Sequence, residues 1–206
     1  MDSLPERFAD RELLQKLLHE YNEDIEQRER IAKEIQERFQ RKLAVLVLDS
    51  SGFTRSVREG GLIPFLALIE RMQRLIGPAI ERTGGQLLKT EADNVFAVYE
   101  TPDEAVAGAK DIRATLRAVN EALPEREEIY VSMGIGYGDV LMVGADDLYG
   151  DEMNLACKLG EDVADRDEIL ISGGAYENLT DTKGFEPTSI SISGVEISAY
   201  RVVDPE

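Results

Sequence analysis

A six-residue apolar run, Leu43-Ala-Val-Leu-Val-Leu48, constrains the fold of this chain more than any other feature. It has no polar alternation, so neither of its faces can be left in water. It therefore predicts a strand buried on both sides within a sheet. The run stops at Asp49 and is followed by Ser50-Ser-Gly-Phe-Thr54, a polar loop containing a glycine. A bilayer needs about 20 consecutive apolar residues, so no membrane association is expected.

The stretches after this strand alternate between helix and strand signals. A helix is predicted from Leu62 to Arg82, with Pro64 in its first turn, where proline is tolerated. Gly84-Gly85 stops it. Gln86 to Thr90 and Val95 to Tyr99 read as paired strands around a tight turn at Glu91-Ala-Asp-Asn94. Thr101-Pro-Asp-Glu104 is a helix start with a hydroxyl cap, a proline in the first turn and Glu three residues after the cap. Val106, Ala109, Ile112, Leu116 and Val119 mark the buried face of that helix. Ile129 to Tyr137 and Val140 to Val143 read as a hairpin around Gly138-Asp139, and residues 151 to 162 as helical. Ile169 to Ser172 reads as a short strand, and Thr188 to Val203 as a last strand pair. Recurrent hairpins among the helices predict an α+β fold: a mixed, mainly antiparallel sheet with helices packed on one side.

Residues 10 to 41 read as one long helix preceding that domain. Leu14, Leu18, Tyr21, Ile25, Arg28, Ala32, Ile35 and Phe39 recur at alternating spacings of four and three, and most other positions are charged. So narrow an apolar strip favours a parallel coiled coil between two copies over a helix packed on its own domain. The expected division is 1–41 for the helical segment and 42–206 for the globular domain.

Charge narrows the partners. With a formal net charge of −18, the chain lacks the clustered cations that hold a nucleic acid backbone. No nucleic acid partner is expected, and any phosphate must be held at a focused site. The single cysteine, Cys157, forms no internal disulfide, and the N-terminus lacks a signal-peptide pattern, so a cytoplasmic location is expected. One histidine and one cysteine make a zinc site unexpected.

Two carboxylates stand where strands end: Asp49 after the buried strand and Asp93 at the hairpin tip. If the two strands are neighbours, both groups meet at one end of the sheet and could hold Mg²⁺, which prefers one or two protein carboxylates. Backbone N–H groups of the loop Ser50 to Thr54 could receive phosphate oxygens.

These residues lie in a larger pattern. Leu48-Asp-Ser-Ser-Gly-Phe-Thr54 resembles the first metal motif of the class III adenylyl and guanylyl cyclases. Lys89-Thr-Glu-Ala-Asp93, followed by Asn-Val-Phe-Ala-Val98, resembles their second segment. Ser132-Met-Gly-Ile-Gly-Tyr-Gly138 is similar to their glycine-rich strand, and Asp147-Leu-Tyr-Gly-Asp-Glu-Met-Asn-Leu-Ala-Cys-Lys158 to their third segment. The likeness covers roughly residues 42 to 203 with all four motifs in order.

The resemblance implies a ferredoxin-like cyclase fold and a division of labour. Asp49 and Asp93 would bind two Mg²⁺ or Mn²⁺ ions. Ser51, Gly52, Phe53 and Thr54 would contact the triphosphate. Lys89 and Asp147 would read the base as adenine, Asn154 would orient the ribose, and Lys158 would stabilise the transition state. It further implies ATP as substrate and a homodimer with each site built from both copies.

Three positions depart from the family pattern. Lys158 stands for its Arg, Ser193 for a phosphate-binding Lys, and Ala92 for the glycine before the second Asp, with Glu91 beside it. Ala92 is tolerable there if its φ is negative. These departures keep open an ATP-binding regulatory module with weak or no turnover. A cyclase for another nucleotide is the third reading.

Overall fold

The structure is a computed structural model that describes residues 11–51, 61–144, 147–192 and 195–203. The helices are α1 (Arg11–Glu23), α2 (Arg28–Phe39), α3 (Leu62–Arg82), α4 (Pro102–Asn120), α5 (Asp151–Cys157) and α6 (Gly173–Glu177). The strands are β1 (Gln40–Ser50), β2 (Gln86–Glu91), β3 (Asn94–Tyr99), β4 (Val131–Val143), β5 (Asp147–Tyr149), β6 (Ile169–Ser172), β7 (Phe185–Ile192) and β8 (Val195–Val202). Gly52, Phe53, Thr54 and Ser193 lie outside the described residues.

The apolar run forms the middle of β1, and all six of its residues are buried. Strand order is β2-β3-β1-β4-β6-β8-β7, with β5 pairing β4 off this path. Every pairing is antiparallel except β4 with β6. The mixed, mainly antiparallel α+β sheet is therefore present as expected.

Alternation along β1 separates two cores. Ala44, Leu46 and Leu48 face the larger one, with Met72, Ile76 and Ile80 of α3 and Ala109, Ile112 and Leu116 of α4. Leu43, Val45 and Val47 face the second, with Phe96, Val98, Val140 and Ala156. α3 and α4 thus cover one face, while α5 packs on the other, which corrects the expectation of helices on one side only. The α4 start is as read: Thr101 accepts from the Glu104 N–H and Glu104 from the Thr101 N–H. Its far end is tied to the sheet by buried Asn120, which exchanges two hydrogen bonds with the Ile129 backbone at 2.8 and 2.9 Å.

Two further expectations are corrected. The predicted turn at Gly138-Asp139 does not occur; β4 runs straight through it, with Gly138 opposite Leu43 and Asp139 opposite Lys42 of a β1 that begins at Gln40. Nor are residues 10 to 41 one helix. The chain breaks at Asp24, whose carboxylate accepts from the Gln27 N–H at 3.1 Å and caps a 3₁₀ turn at Ile25–Gln27. Arg28, the polar residue of the expected seam, donates to the Tyr21 carbonyl at 3.0 Å and fixes the reversal. α1 then folds back on α2, burying Leu14, Leu17, Ile31, Ile35 and Phe39 with Val143 of β4. Leu18 and Ile25 of the seam stay exposed at 46% and 72%. Each short helix keeps the three–four spacing by itself, so the periodicity persists across the break. No helix among the described residues is long and apolar enough to cross a membrane.

Candidate functional site

Asp49 continues the Leu43–Val45–Val47 alternation and so belongs to the second face of the sheet. Asp93 sits at the β2–β3 tip and accepts a 2.8 Å hydrogen bond from the Ser50 hydroxyl at the end of β1. The neighbouring-strand condition is met, since β1 pairs β3 directly. Burial, then the charges of Asp93 and Glu161, push the Asp49 carboxyl up to about 6, against the lowering effect of the Ser50 backbone hydrogen bond.

Glu161 went unread in the sequence. It lies on a π-helical turn, Lys158–Val163, that continues α5, and its carboxylate accepts from Asn94 Nδ2 at 3.1 Å. Burial and the charge of Asp162 raise its own pKa. A wide turn of this kind shifts the phase of the residues that follow it, so helical spacing in the sequence does not reveal where Glu161 points.

Among the described residues no group of three or more His, Cys, Asp or Glu side chains is arranged to hold a metal ion. The donor chemistry still suits a hard cation: two half-buried carboxylates that no cation among the described residues compensates, at a sheet end where water and phosphate can supply the remaining oxygens. The turn carrying Asp93 is strained. Ala92 has φ of 53°, so the negative φ that would make alanine harmless there is not found. Positive φ at the first central residue of a two-residue hairpin loop is the position where glycine is ordinarily required.

A second polar group forms around Lys89. The β2–β3 register shifts between Leu87 and Lys89, and this bulge sets Lys89 opposite Phe96, with its ammonium 5.1 Å from the ring centre. Lys89 Nζ reaches Asp147 Oδ1 at 3.3 Å and Glu91 Oε1 at 2.8 Å. Glu91, an open question in the sequence, is therefore engaged by Lys89. The Glu91 hydrogen bond, opposed by partial burial and helped by Asp147, raises the Lys89 pKa.

Asp147 also accepts from Tyr149 Oη at 3.0 Å, from Arg11 at 3.2 Å and from the Leu148 N–H at 3.0 Å. Burial pushes its carboxyl up, but the Tyr149 and Lys89 hydrogen bonds with the Lys89 charge prevail and hold it below the ordinary range. The contact with Arg11 had no sequence signal, because it depends on α1 folding back.

α5 lies on the glycine track of β4. A Cβ at Gly134 would collide with the Ala156 carbonyl and the Gly160 nitrogen, and one at Gly136 with the Glu152 carbonyl. Only glycine at these alternate positions lets the helix approach the strand at backbone distance. Glu152 fixes the helix there, accepting from the Tyr137 N–H and the Ser172 hydroxyl, each at 2.9 Å. Asn154 and Lys158 project from this helix and its continuation into solvent. Lys158 is engaged by Asp162 in an i,i+4 ion pair. Cys157 is half-buried, and burial with the Glu161 charge raises its thiol to about 11, so it is not a reactive nucleophile.

Asp49 with Asp93, and Lys89 with Asp147, are thus brought together as two groups. Asn154 and Lys158 stand beside them on a helix, without contact to either group. Ser51, at the end of β1, donates its N–H to the Tyr130 carbonyl at 2.9 Å.

No protein-family model matches the chain. Over 137 residues, 66% of its length, it is 29% identical to a protein of Rhizobium meliloti (strain 1021) provisionally named adenylate cyclase 3. Over 148 residues, 72% of its length, it is 29% identical to a protein of Streptomyces coelicolor named adenylate cyclase. The matched stretches span only 23% and 37% of those two relatives. Its fold is that of an adenylate/guanylate cyclase/hydrolase from Silicibacter pomeroyi: the TM-score is 0.70 at 26% identity, covering 81% of this chain and 98% of the other. The adenylyl cyclase CyaB of P. aeruginosa shares the fold with a TM-score of 0.64 at 21% identity, over 81% of this chain and 96% of the other.

Proposed function

We propose that this chain, which has the fold of the class III adenylyl/guanylyl cyclase catalytic domains, is a cyclase module that converts ATP to 3′,5′-cyclic AMP and pyrophosphate. One observation carries the reading. Lys89, on the sheet face that also bears the Asp49 carboxylate, meets Asp147, 58 positions away, at 3.3 Å. An ammonium donor beside a carboxylate acceptor matches the ring nitrogen and exocyclic amine of adenine. Guanine would set its carbonyl oxygen against the Asp147 carboxylate, acceptor against acceptor.

In the reaction the ribose 3′-oxygen attacks the α-phosphorus, its proton departs, and the bond to the bridging oxygen of pyrophosphate breaks. Asp49 and Asp93 would hold two Mg²⁺ or Mn²⁺ ions per site. When bound, those ions acidify the 3′-hydroxyl and neutralise the leaving phosphates. Asp49 takes up this role as the carboxylate, the form that a bound cation favours over the protonated one. Backbone groups of Ser51, Gly52, Phe53 and Thr54 would receive the triphosphate, Asn154 the ribose, and Lys158 the charge of the transition state. Two copies of the chain would complete each site, each copy contributing half.

The engagement of Lys158 by Asp162 favours a second reading. A lysine lacks the planar fork of arginine at a phosphate, and this one has to leave a carboxylate before it can act. An ATP-binding regulatory module with little turnover fits that arrangement.

Incubation with ATP, GTP, CTP or UTP and Mg²⁺ or Mn²⁺, with chromatography of products, separates these readings. Cyclic AMP and pyrophosphate from ATP, lost in Asp49→Ala, support the cyclase. Metal-dependent thermal stabilisation by ATP without product supports the regulatory module. Product from a pyrimidine nucleotide alone would overturn the assignment of Lys89 and Asp147 as an adenine reader.

A further inference from the structure

We propose that α1 is a latch on the base-reading pair, with Arg11 occupying the carboxylate oxygen of Asp147 that a purine amine must reach. This rests on the reading of Lys89 and Asp147 given above.

A carboxylate has about four acceptor positions, and all four at Asp147 are filled. Oδ1 receives the Leu148 N–H at 3.0 Å and Lys89 Nζ at 3.3 Å. Oδ2 receives Tyr149 Oη at 3.0 Å and Arg11 Nη2 at 3.2 Å. The exocyclic amine of adenine is itself a donor, so it cannot enter until one of these donors leaves. The Leu148 N–H is fixed by the chain, and Lys89 is the other half of the reader. The displaceable donors are therefore the two on Oδ2. Only Arg11 belongs to an element outside the domain, α1, which is seated on α2 and Val143 through Leu14 and Leu17. Leu14 lies three residues after Arg11, so the apolar seat of the helix sets where the guanidinium falls.

The strength suits a switch. The Arg11 side chain is 55% exposed and Asp147 17%, and partly exposed ion pairs contribute little. Release of Arg11 is therefore expected to change nucleotide affinity by roughly two- to fivefold. Anything that lifts α1 from α2 and Val143 would open the base pocket without touching the carboxylates that bind the metal.

The test uses the whole chain with Mn²⁺ and compares Arg11→Ala and Arg11→Lys with wild type. Equilibrium binding of ATP is set against purine riboside triphosphate, which lacks the exocyclic amine. Arg11→Ala is expected to tighten ATP binding roughly two- to fivefold and to leave the amine-free nucleotide unchanged. Arg11→Lys, which keeps a cation at the position, is expected to stay near wild type. Backbone amides of residues 11–23 should exchange hydrogen faster when wild type is saturated with ATP.

Wild type that binds ATP, with Arg11→Ala unchanged or weakened, overturns the latch and leaves the cyclase reading standing. A lower melting temperature without a change in affinity reduces Arg11 to a structural brace and also overturns it. Equal tightening of both nucleotides overturns it as well, because the effect would not pass through the amine. Wild type that binds neither nucleotide removes the latch and the cyclase reading together.

Discussion

Two partly buried aspartates belong to one sheet, and their surroundings push them in opposite directions. Asp49 looks out on Asp93 and Glu161, and burial together with those charges carries its carboxyl up to about 6. Asp147 is also burdened by burial, yet Tyr149, Lys89 and the Leu148 N–H hold its carboxyl below the ordinary range. At one end no cation among the described residues compensates the carboxylates; at the other Lys89 does. An uncompensated pair is suited to take a cation from solution, and a compensated one to present a fixed hydrogen-bonding pattern. On the proposed reading, the difference separates the part of the site that would bind metal from the part that would select the base.

The largest expected effect breaks the carboxylate end. Asp49→Ala should lower cyclic AMP production by roughly a hundredfold or more and abolish stabilisation by ATP with Mn²⁺, measured by product chromatography and thermal melts. Lys89→Ala should turn the second aspartate into a likeness of the first. The Asp147 carboxyl should rise toward or above its ordinary value, and the preference for ATP over GTP should fall by about tenfold or more, read from competition between the two nucleotides.

Lys158→Arg comes next. It restores the planar donor fork at a phosphate position and should raise turnover by roughly tenfold, with affinity for ATP little changed. No gain in this rate assay would show that the cation at this position is not what limits the site.

The titration of Asp49 gives a smaller effect with a definite sign. Its folded pKa lies above its unfolded value, so its stability contribution is present below about pH 4 and lost as pH rises through about 6. Without metal, Asp49→Asn should therefore match wild type near pH 4 and exceed it above pH 6, by roughly 1 kcal/mol after allowance for solvent screening. Saturating Mg²⁺ with ATP should reverse that order. Chemical denaturation across this pH range tests both limbs. The smallest effect is at the hairpin tip. Ala92→Gly relieves the positive φ of 53° at some cost in chain entropy and should stabilise by up to about 1 kcal/mol, visible as a higher denaturation midpoint.

Much of this arrangement was legible in the chain, and the exceptions have physical causes. The buried strand, the span of α3 and the Thr101–Glu104 box were readable because each depends on local spacing. The Gly138-Asp139 turn was misread because glycine signals both turns and close packing, and here it makes room for Glu152 on α5. The single N-terminal helix was misread because heptad spacing does not register a break at Asp24. The pairing of Asp49 with Asp93 followed from strands that end side by side. Glu161 and Arg11 did not follow, since one depends on the phase of a π turn and the other on a helix folding back.

The bulge between Leu87 and Lys89 bears on how such a chain can change its preference over generations. Side chains on a strand have only two phases, and one extra residue exchanges them. Leu88 is that residue: the ladder passes over it, from Leu87 opposite Ala97 to Lys89 opposite Phe96, and Lys89 reaches Asp147. Loss of that single codon would leave Lys89 directly after Leu87 and still opposite Phe96, so a regular ladder would keep the ammonium on its face and lose the buried Leu88. On the proposed reading, nucleotide choice is therefore buffered against a change of spacing at this point, and its revision falls to the identities of Lys89 and Asp147.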